Sequence, residues 1–496
     1  MSKRKTNNAS TTQRRRKPTP SGRLWGTRFR TTPSELLCAF NDSFAFDREL
    51  LDEEIEVSTA WVECLEQAGV ISVAERKSLV RGLREILKES EHLGAEVIVQ
   101  FEDLHAFVEA ILFDKVGEVA RKLHTGRSRN DLIATDLKLY LKRAIAAARG
   151  AALDLAAVLA QCATEESATP MPGYTHLKQA EPITFGHWSL ACVEMLLRDV
   201  DRLAATSARH DACPLGAGAL AGTPLVIDRK ALAKRLGFAR ASANSIDAAS
   251  DRDMAIEYLF DASMLLGHLS RLAEDLIFFS SDDVAFVELP DAWATGSSRL
   301  PHKKNPDVLE LVRGHAARAI GELTSLLALV KGLPLSYNKD LQLDKEPVFR
   351  MRVTLSLALP SLTELVRGMR LDRDRMHRAA SRDVFMAAEL TDALAERGIP
   401  YREAHEIVGR HVAAAIESNT SLQELGASPE ITPADLEALD VERAVRRKGA
   451  LGGTSPRQVA RSAKAAARTI ASLIGVAGDG PQDGSLHKHG SRTWRA

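Results

Sequence analysis

Four segments of this 496-residue chain, each 24 to 36 residues long, carry apolar side chains at mixed three- and four-residue spacings: 131–166, 186–209, 251–281 and 304–332. This spacing is typical of α-helices, and the first three segments are apolar on more than one face. Such helices must be buried among several others. We therefore predict an all-α fold built on a long central helical bundle, with helix faces to spare for burial against other subunits.

Signals for other structure are few. Residues 225–228 (LVID) indicate one short extended segment, and around residues 375–400 the long pattern gives way to shorter helices and turns, which indicates a small separate domain. The predicted division is a basic disordered extension (1–23), an N-terminal helical domain (24–128), the central bundle (129–375), a small C-terminal helical domain (376–477) and a disordered tail (478–496).

Charge and cysteine usage restrict the function. Residues 1–34 carry ten Lys or Arg and no acid, which leaves 56 basic against 66 acidic residues in the rest of the chain. The acidic body argues against a nucleic-acid-binding core, while the arm itself is either a solvated extension or a contact for nucleic acid or targeting. The five cysteines are scattered without CxxC spacing, which argues against a disulfide framework or a zinc site and favours a reducing cytoplasm. We expect no metal and no membrane partner.

Four polar segments interrupt or flank the long helices, and functional residues concentrate in such segments. They are KLHTGRSRND (122–131), MPGYTHLKQAEPITFGH (171–187), ATGSSRLPHKKNPD (294–307) and PLSYNKDLQLDKEP (334–347). The glycine-rich GAGALAG (216–222) follows no strand and lacks dinucleotide-loop spacing, so we interpret it as a tight packing turn.

The first and last polar segments are suited to binding polar groups. Residues 122–131 precede a long helix, so their donors suit a carboxylate or phosphate at its N-terminus. A capped helix start with surface arginines fits the same pattern. Residues 334–347 offer Tyr, Asn, Gln and Lys side chains suited to a zwitterionic ligand, or form a charged interhelical turn.

The two middle segments carry groups that transfer protons. His176 lies between turn residues and is either a general acid or base or a hydrogen-bonded surface residue. Gly296 allows Ser297 and Ser298 a tightly turned backbone, and the lysines that follow would lower the pKa of a serine hydroxyl. Asn305 and Pro306 predict the N-cap and the first position of the next helix.

Taken together and in this order, the segments resemble the signature regions of the fumarase/aspartase superfamily, and in detail those of its argininosuccinate lyase/delta-crystallin branch. Further matching stretches are LWGTRF (24–29), FNDSFAFD (40–47), PLGAGALAGTPL, NSIDAASDRD (244–253), REAHEIVG (402–409) and GGTSP (452–456). The resemblance covers about residues 24–475.

The resemblance implies a three-domain chain that forms a homotetramer with a 20-helix core, in which each active site combines three subunits. It implies a carbon–nitrogen lyase of arginine biosynthesis that cleaves argininosuccinate reversibly into L-arginine and fumarate, without a cofactor. Carried over by motif, the catalytic residues would be Ser297, His176, Glu310, Lys303 and Asn305. The substrate-binding residues would be Ser43, Ser128, Arg129, Asn130, Thr175, Tyr337, Gln342 and Lys345.

Three positions depart from the family pattern: His302 stands where the family has Gln, Leu300 where it has Met, and Leu343 where it has Glu. None is a predicted catalytic position. The alternatives that remain are another fumarate-releasing lyase, such as adenylosuccinate lyase or aspartase, and a non-catalytic crystallin-like scaffold.

Overall fold

The structure of the chain is a computed structural model that describes residues 31, 33–90 and 101–478. The predicted basic extension, the LWGTRF stretch and residues 479–496 of the predicted tail lie outside this range. The helices are α1 (Glu35–Asn41), α2 (Phe44–Asp47), α3 (Leu51–Gln67), α4 (Val73–Glu89), α5 (Leu104–Val116), α6 (Arg129–Glu165), α7 (Phe185–Arg209), α8 (Arg229–Arg235), α9 (Ser245–Ser250), α10 (Asp253–Ser280), α11 (Asp307–Val330), α12 (Lys345–Gly368), α13 (Arg373–Ala380), α14 (Ala387–Glu396), α15 (Tyr401–Ser418), α16 (Leu422–Leu425), α17 (Pro433–Leu436), α18 (Val441–Arg447) and α19 (Pro456–Gly478).

The long helices confirm the predicted bundle. Helix α6 packs against α7, α12 and α19, and α10 packs against α7 and α11. By length and composition α6 could cross a membrane, and in this structure it packs against three other helices of the bundle. Among the described residues, the largest aromatic side chains that are fully buried are Trp61, Tyr140 and Tyr258. The all-α fold class is therefore confirmed.

Residues 380–444 form a second, smaller hydrophobic core. Leu390, Leu394, Ile407 and Leu422 are buried in it, together with Ala444 of α18. The last helix, α19, returns to the main core, which its apolar face joins. The described part of the chain thus has a large core around the bundle and a small one near its C-terminal end.

The strands are short and pair two by two. They are β1 (Pro170–Thr175) with β2 (Lys178–Thr184), β3 (Ala212–Cys213) with β4 (Arg240–Ala241), β5 (Val287–Glu288) with β8 (Arg370–Leu371), and β6 (Thr295–Gly296) with β7 (Lys304–Asn305); only β3 and β4 are parallel. The predicted extended segment 225–228 is not a strand. Its last residue, Asp228, has extended backbone and is the N-cap of α8, where its side chain accepts hydrogen bonds from the backbone N–H groups of Lys230 and Ala231.

One buried carboxyl group between α7 and α10 makes stability depend on pH. Burial raises the pKa of Asp261 from its ordinary 3.8 to about 6, and the nearby carboxylates of Glu257 and Asp199 add to this. The Thr206 hydroxyl, which donates to Asp261 at 2.7 Å, and the charge of Arg202 act in the opposite direction. The folded chain therefore holds this proton more tightly than the unfolded chain does.

Replacement of Asp261 by asparagine should raise the melting temperature above pH 6 by about 1–4 °C and leave it unchanged near pH 4. Because the folded-state pKa is raised, the carboxyl group stabilises the fold most below pH 4, and this contribution is lost as the pH rises to about 6. An asparagine stays neutral and still accepts the Thr206 hydrogen bond. Thermal unfolding of the wild type, Asp261→Asn and the exposed control Asp201→Asn at both pH values measures the effect. An equal change at pH 4 and pH 8 would contradict it.

Candidate active site

The first polar segment forms the N-terminus of α6. Ser128 is the N-cap residue: its hydroxyl accepts the Asn130 N–H at 3.2 Å, and its own N–H donates to Asp131 at 2.9 Å. Arg129 lies in the first turn, and its Nη1 donates to the Asp103 carboxylate at 2.6 Å. The three predicted binding residues of this segment are thus adjacent at the positive end of a 37-residue helix.

Arg127 has a different role from Arg129. It is buried, and its Nη1 donates to the Ser58 hydroxyl at 3.0 Å. Glu54 lies beside it and bonds His105 Nδ1 at 2.7 Å. Burial would raise the pKa of Glu54, but His105 and Arg127 outweigh it and lower the pKa to about 2. The interpretation of both arginines as surface residues is therefore wrong for Arg127. Its buried side chain anchors the segment 122–131 to α3.

The glycine-rich turn supports the same helix start. Asp131 accepts hydrogen bonds from the N–H groups of Gly216 at 2.9 Å and Gly218 at 2.8 Å, and Asn130 donates to the Ala219 carbonyl at 3.2 Å. Gly218 has a φ of +61°, and a Cβ there would lie 2.5 Å from a backbone oxygen of the same turn. Only glycine fits this position, so the prediction of a tight packing turn is confirmed.

The last polar segment reaches the region of the FNDSFAFD stretch. Gln342 Nε2 donates to the Asn41 carbonyl at 3.0 Å. Lys345 is 2% exposed, and its Nζ lies 2.9 Å from Asp344 and 3.4 Å from the Gln342 carbonyl. A charged interhelical turn would leave such a lysine in water. The burial of Lys345 favours the ligand-binding interpretation.

Ser43 and Tyr337 join this cluster. Ser43 is buried, donates its hydroxyl to Asp47 and donates its N–H to the Glu102 carbonyl at 2.7 Å. Burial raises the pKa of Tyr337, and the nearby charge of Lys345 works against that rise. Four of the predicted binding residues, Ser43, Tyr337, Gln342 and Lys345, therefore lie in one place.

Sequence reasoning missed the ionic pairs that hold Lys345. Asp344, which is fully buried, bonds Lys345 through one carboxylate oxygen and Arg252 through the other. Burial lowers the pKa of Lys345, but Asp344 and Asp47 outweigh it and raise the pKa above its ordinary value. Lys345 is therefore a cation. The matched stretches contain Arg252, Asp47 and Asp344, but a sequence does not distinguish a buried ion pair from an exposed one.

His176 occupies the tip of a β-hairpin, where we predicted only a loop. Thr175 pairs with Lys178 across a two-residue turn, in which His176 has a φ of +55° and Leu177 of +56°. Such turns favour Asn and Gly, because other side chains are strained in the left-handed region. Strained backbone of this kind clusters at functional sites. Both turn residues are exposed.

The second strand of this hairpin is tied to the C-terminal part of the chain. The N–H of Thr184 donates to the Thr454 hydroxyl at 2.8 Å. Lys448 bonds Glu181 of β2 and lies 2.8 Å from Glu389 of α14. The GGTSP stretch and α14 therefore fix the strand that positions His176.

The serine loop is closed at its base by β6 and β7, which pair Gly296 with Lys304. The Ser297 hydroxyl oxygen accepts the N–H groups of Arg299 at 3.3 Å and Leu300 at 3.1 Å. Two donors on this oxygen stabilise its deprotonated form relative to the hydroxyl. The same two contacts occur in ordinary serine turns, so the role of Ser297 in proton transfer stays a prediction.

The loop leads into α11 one residue later than predicted. Asn305 lies in β7, Pro306 is the N-cap residue, and the helix begins at Asp307. The predicted N-cap at Asn305 was wrong because Asn305 pairs with Thr295 between β7 and β6. The Thr295 hydroxyl donates a hydrogen bond to Asp307, the first residue of the helix. Lys303 is exposed and makes no ion pair with any residue that the structure describes.

Within one chain the predicted residues fall into separate groups. Over residues 33–90 and 101–478, no hydrogen bond or ion pair joins His176, Ser297 and the cluster around Lys345. Glu310 is exposed and lies 3.8 Å from Arg313 of its own helix. The departures His302 and Leu343 are also exposed.

Comparisons with known proteins identify the family. A family model described as Lyase matches residues 27–321, and one described as Argininosuccinate lyase C-terminal matches 384–446. Argininosuccinate lyase of Roseiflexus sp. (strain RS-1) is 46% identical over 453 residues, covering 90% of this chain and 99% of the relative. That of Pelotomaculum thermopropionicum is 43% identical over 454 residues, again covering 90% and 99%.

Solved structures show the same fold. An EDDS lyase variant with bound fumarate matches with a TM-score of 0.78 and 29% identity, covering 88% of each chain. A fumarate lyase from Mesorhizobium sp. BNC1 matches with a TM-score of 0.68 and 23% identity, covering 87% of this chain and 98% of that one. The predicted superfamily and branch are both confirmed. The chain belongs to the argininosuccinate lyase family of carbon–nitrogen lyases, within the fumarase/aspartase superfamily.

Proposed function

We propose that this chain catalyses the reversible β-elimination of argininosuccinate to L-arginine and fumarate. A base removes a proton from the carbon next to a carboxylate, the doubly charged aci-carboxylate forms, and the carbon–nitrogen bond breaks as an acid protonates the departing nitrogen. The observation that carries the proposal is the Ser297 hydroxyl, whose oxygen accepts two backbone N–H groups.

Each step has a candidate group in the chain. In the cleavage direction Ser297 takes the proton and His176 protonates the leaving nitrogen, with Glu310 orienting His176. Lys303 and Asn305 stabilise the aci-carboxylate, and the 24-residue helix α11, which starts two residues after Asn305, adds its positive end. The Ser43–Lys345 cluster and the start of α6 bind the rest of the substrate.

A direct assay tests this proposal. Fumarate release from argininosuccinate, followed by its ultraviolet absorbance, should exceed release from adenylosuccinate, aspartate and EDDS by orders of magnitude. A preference for any of the other three would transfer the chain to a different reaction of the superfamily. A correctly assembled protein that releases fumarate from none of them would support the non-catalytic scaffold.

We further propose a cytoplasmic homotetramer with shared active sites. Long central helices carry exposed apolar side chains, among them Leu311 (62% exposed), Ile320 (59%) and Leu357 (65%). Exposed apolar surface of this kind marks association sites. Sharing would also bring together the groups that one chain keeps apart, and the five cysteines, all free, fit a reducing compartment.

A mixture of two inactive variants tests the shared site. Co-expressed Ser297→Ala and His176→Asn chains should form mixed tetramers. If the chains mix at random, roughly a quarter of the active sites should contain both an unchanged Ser297 and an unchanged His176, supplied by two different chains. Activity should therefore return to roughly that fraction of the wild-type value. Each variant expressed alone is the control. Hybrid tetramers without activity would show that both groups come from the same chain.

A further inference from the structure

The hairpin that carries His176 contains a β-bulge. The register of β1 and β2 shifts between Pro172 and Tyr174, and over this interval β2 holds one residue more than β1. The two β2 residues inside the shift are Ala180 and Glu181. A bulge bends its strand and redirects the residues beyond it. The direction of the hairpin tip therefore depends on how the bulge is held.

Lys448 binds this bulge from outside the hairpin. Its ammonium group bonds the Glu181 carboxylate and lies 2.8 Å from the carboxylate of Glu389. Glu389 is 3% exposed in the first turn of α14, and Lys448 is its only ion-pair partner among the residues that the structure describes. Burial lowers the pKa of Lys448, but the two carboxylates outweigh it and raise the pKa above its ordinary value. Lys448 is therefore a cation between two anions.

The backbone of Lys448 is anchored as well. Lys448 is the C-cap residue of α18, and its carbonyl accepts the Ser455 N–H at 3.2 Å. Gly453 passes this carbonyl so closely that a Cβ would lie 2.2 Å from the oxygen, so only glycine fits there. The same turn carries Thr454, whose hydroxyl accepts the Thr184 N–H where β2 ends. The turn after α18 therefore holds β2 at two points.

We propose that Lys448 is a positioning residue for His176. The ion pair with Glu181 fixes the bulge, and the buried carboxylate of Glu389 fixes the ammonium group of Lys448. The small hydrophobic core of residues 380–444 is thereby connected to the hairpin tip and determines where the imidazole is presented. This inference rests on the proposed function, because it assigns the ion pair an effect on the proton-transfer step.

Loss of the ion pair should lower kcat and leave the KM for argininosuccinate nearly unchanged. Lys448→Met keeps the length of the side chain and removes its charge, and we expect kcat to fall by about 10-fold to 100-fold, as for a misplaced catalytic group. Lys448→Arg restores a cation that both carboxylates can bind, so it should recover most of the lost kcat. A folded Lys448→Met protein with wild-type kcat, or equal losses in both variants, would overturn the inference.

A double-mutant cycle separates positioning from a general disturbance of the structure. In a chain that already carries His176→Asn, Lys448→Met should lower the residual kcat by less than about 2-fold, because no imidazole is left to position. A further loss as large as that in the wild-type background would overturn the inference, since Lys448 would then act on a group other than His176.

Arg447 provides the matched control. It precedes Lys448 and pairs with Glu396 of the same helix α14, and it makes no hydrogen bond or ion pair with the hairpin among the described residues. Arg447→Met should keep kcat near the wild-type value, and a loss equal to that of Lys448→Met would overturn the inference. If Lys448→Met does not assemble, as judged by size-exclusion chromatography, Glu181→Met removes the same ion pair from its exposed end and should give the same loss of kcat.

Hydrogen–deuterium exchange tests the positioning without turnover. The backbone N–H groups of residues 170–184 should exchange faster in Lys448→Met than in Arg447→Met, because the bulge has lost its support. Equal exchange in the two variants would overturn the inference. A wild type that releases no fumarate from argininosuccinate would refute the proposed function alone, since the exchange measurement needs no substrate.

Discussion

Replacing Ser297 by alanine is expected to lower kcat for argininosuccinate cleavage by about 10²–10⁴-fold without changing the fold or the assembly. The hydroxyl is the only group removed, and the backbone N–H groups of Arg299 and Leu300 that it accepts lie in an exposed loop where water replaces it. Stability should therefore change little. Fumarate release, thermal unfolding and size-exclusion chromatography measure the three quantities.

The neighbouring serine provides the control. Ser298→Ala changes the same chemical group one position along the same exposed loop, so it reports what a general disturbance of the loop does. We expect Ser298→Ala to remain within several-fold of wild-type turnover. If the two variants lose activity equally, or if Ser297→Ala turns over substrate normally, Ser297 is not the proton carrier.

His176→Asn is expected to reduce kcat by a comparable factor of about 10²–10⁴ and to remove one limb of the pH–rate profile. Asparagine is a suitable replacement because it tolerates the left-handed backbone better than most residues, so the turn at φ +55° should persist. The change then removes the imidazole and little else. Turnover between pH 5 and pH 9 and circular dichroism measure the result.

A second histidine provides the control for the loss of an imidazole side chain outside the hairpin turn. His187 lies in the first turn of α7, and burial lowers its pKa. His187→Asn should keep both limbs of the profile. Should His176→Asn keep both limbs and near-normal kcat, the assignment of His176 as acid would be wrong, and another group would have to protonate the departing nitrogen.

Sequence pattern predicted the long helices closely, because apolar periodicity over 24 or more residues has no alternative interpretation. Segment 131–166 became Arg129–Glu165, and 186–209 became Phe185–Arg209. The hairpin of β1 and β2 was missed because its prolines and its His-Leu turn carry none of the usual strand and turn signals. The start of α11 was misplaced because pairing between β6 and β7, which is a tertiary contact, overrides a local capping signal.

The sequence motifs predicted which residues form the candidate site, but not which of the surrounding side chains are buried. The motifs identified Ser43, Tyr337, Gln342 and Lys345, and the structure brings them together. Nothing in the sequence distinguished Arg127, which is buried against Ser58, from its neighbour two positions along the chain. Long-range ion pairs such as Arg252–Asp344, 92 residues apart, depend on the complete fold and leave no local pattern.

The bond between Thr184 and Thr454 spans 270 positions of the chain. A ribosome that adds about 5–20 residues per second makes the second partner roughly 14–54 s after the first. Until then the strand that positions His176 lacks both Thr454 and Lys448. A nascent chain can therefore build much of its helical bundle early, but the contacts that hold the His176 hairpin are complete only when synthesis is nearly finished.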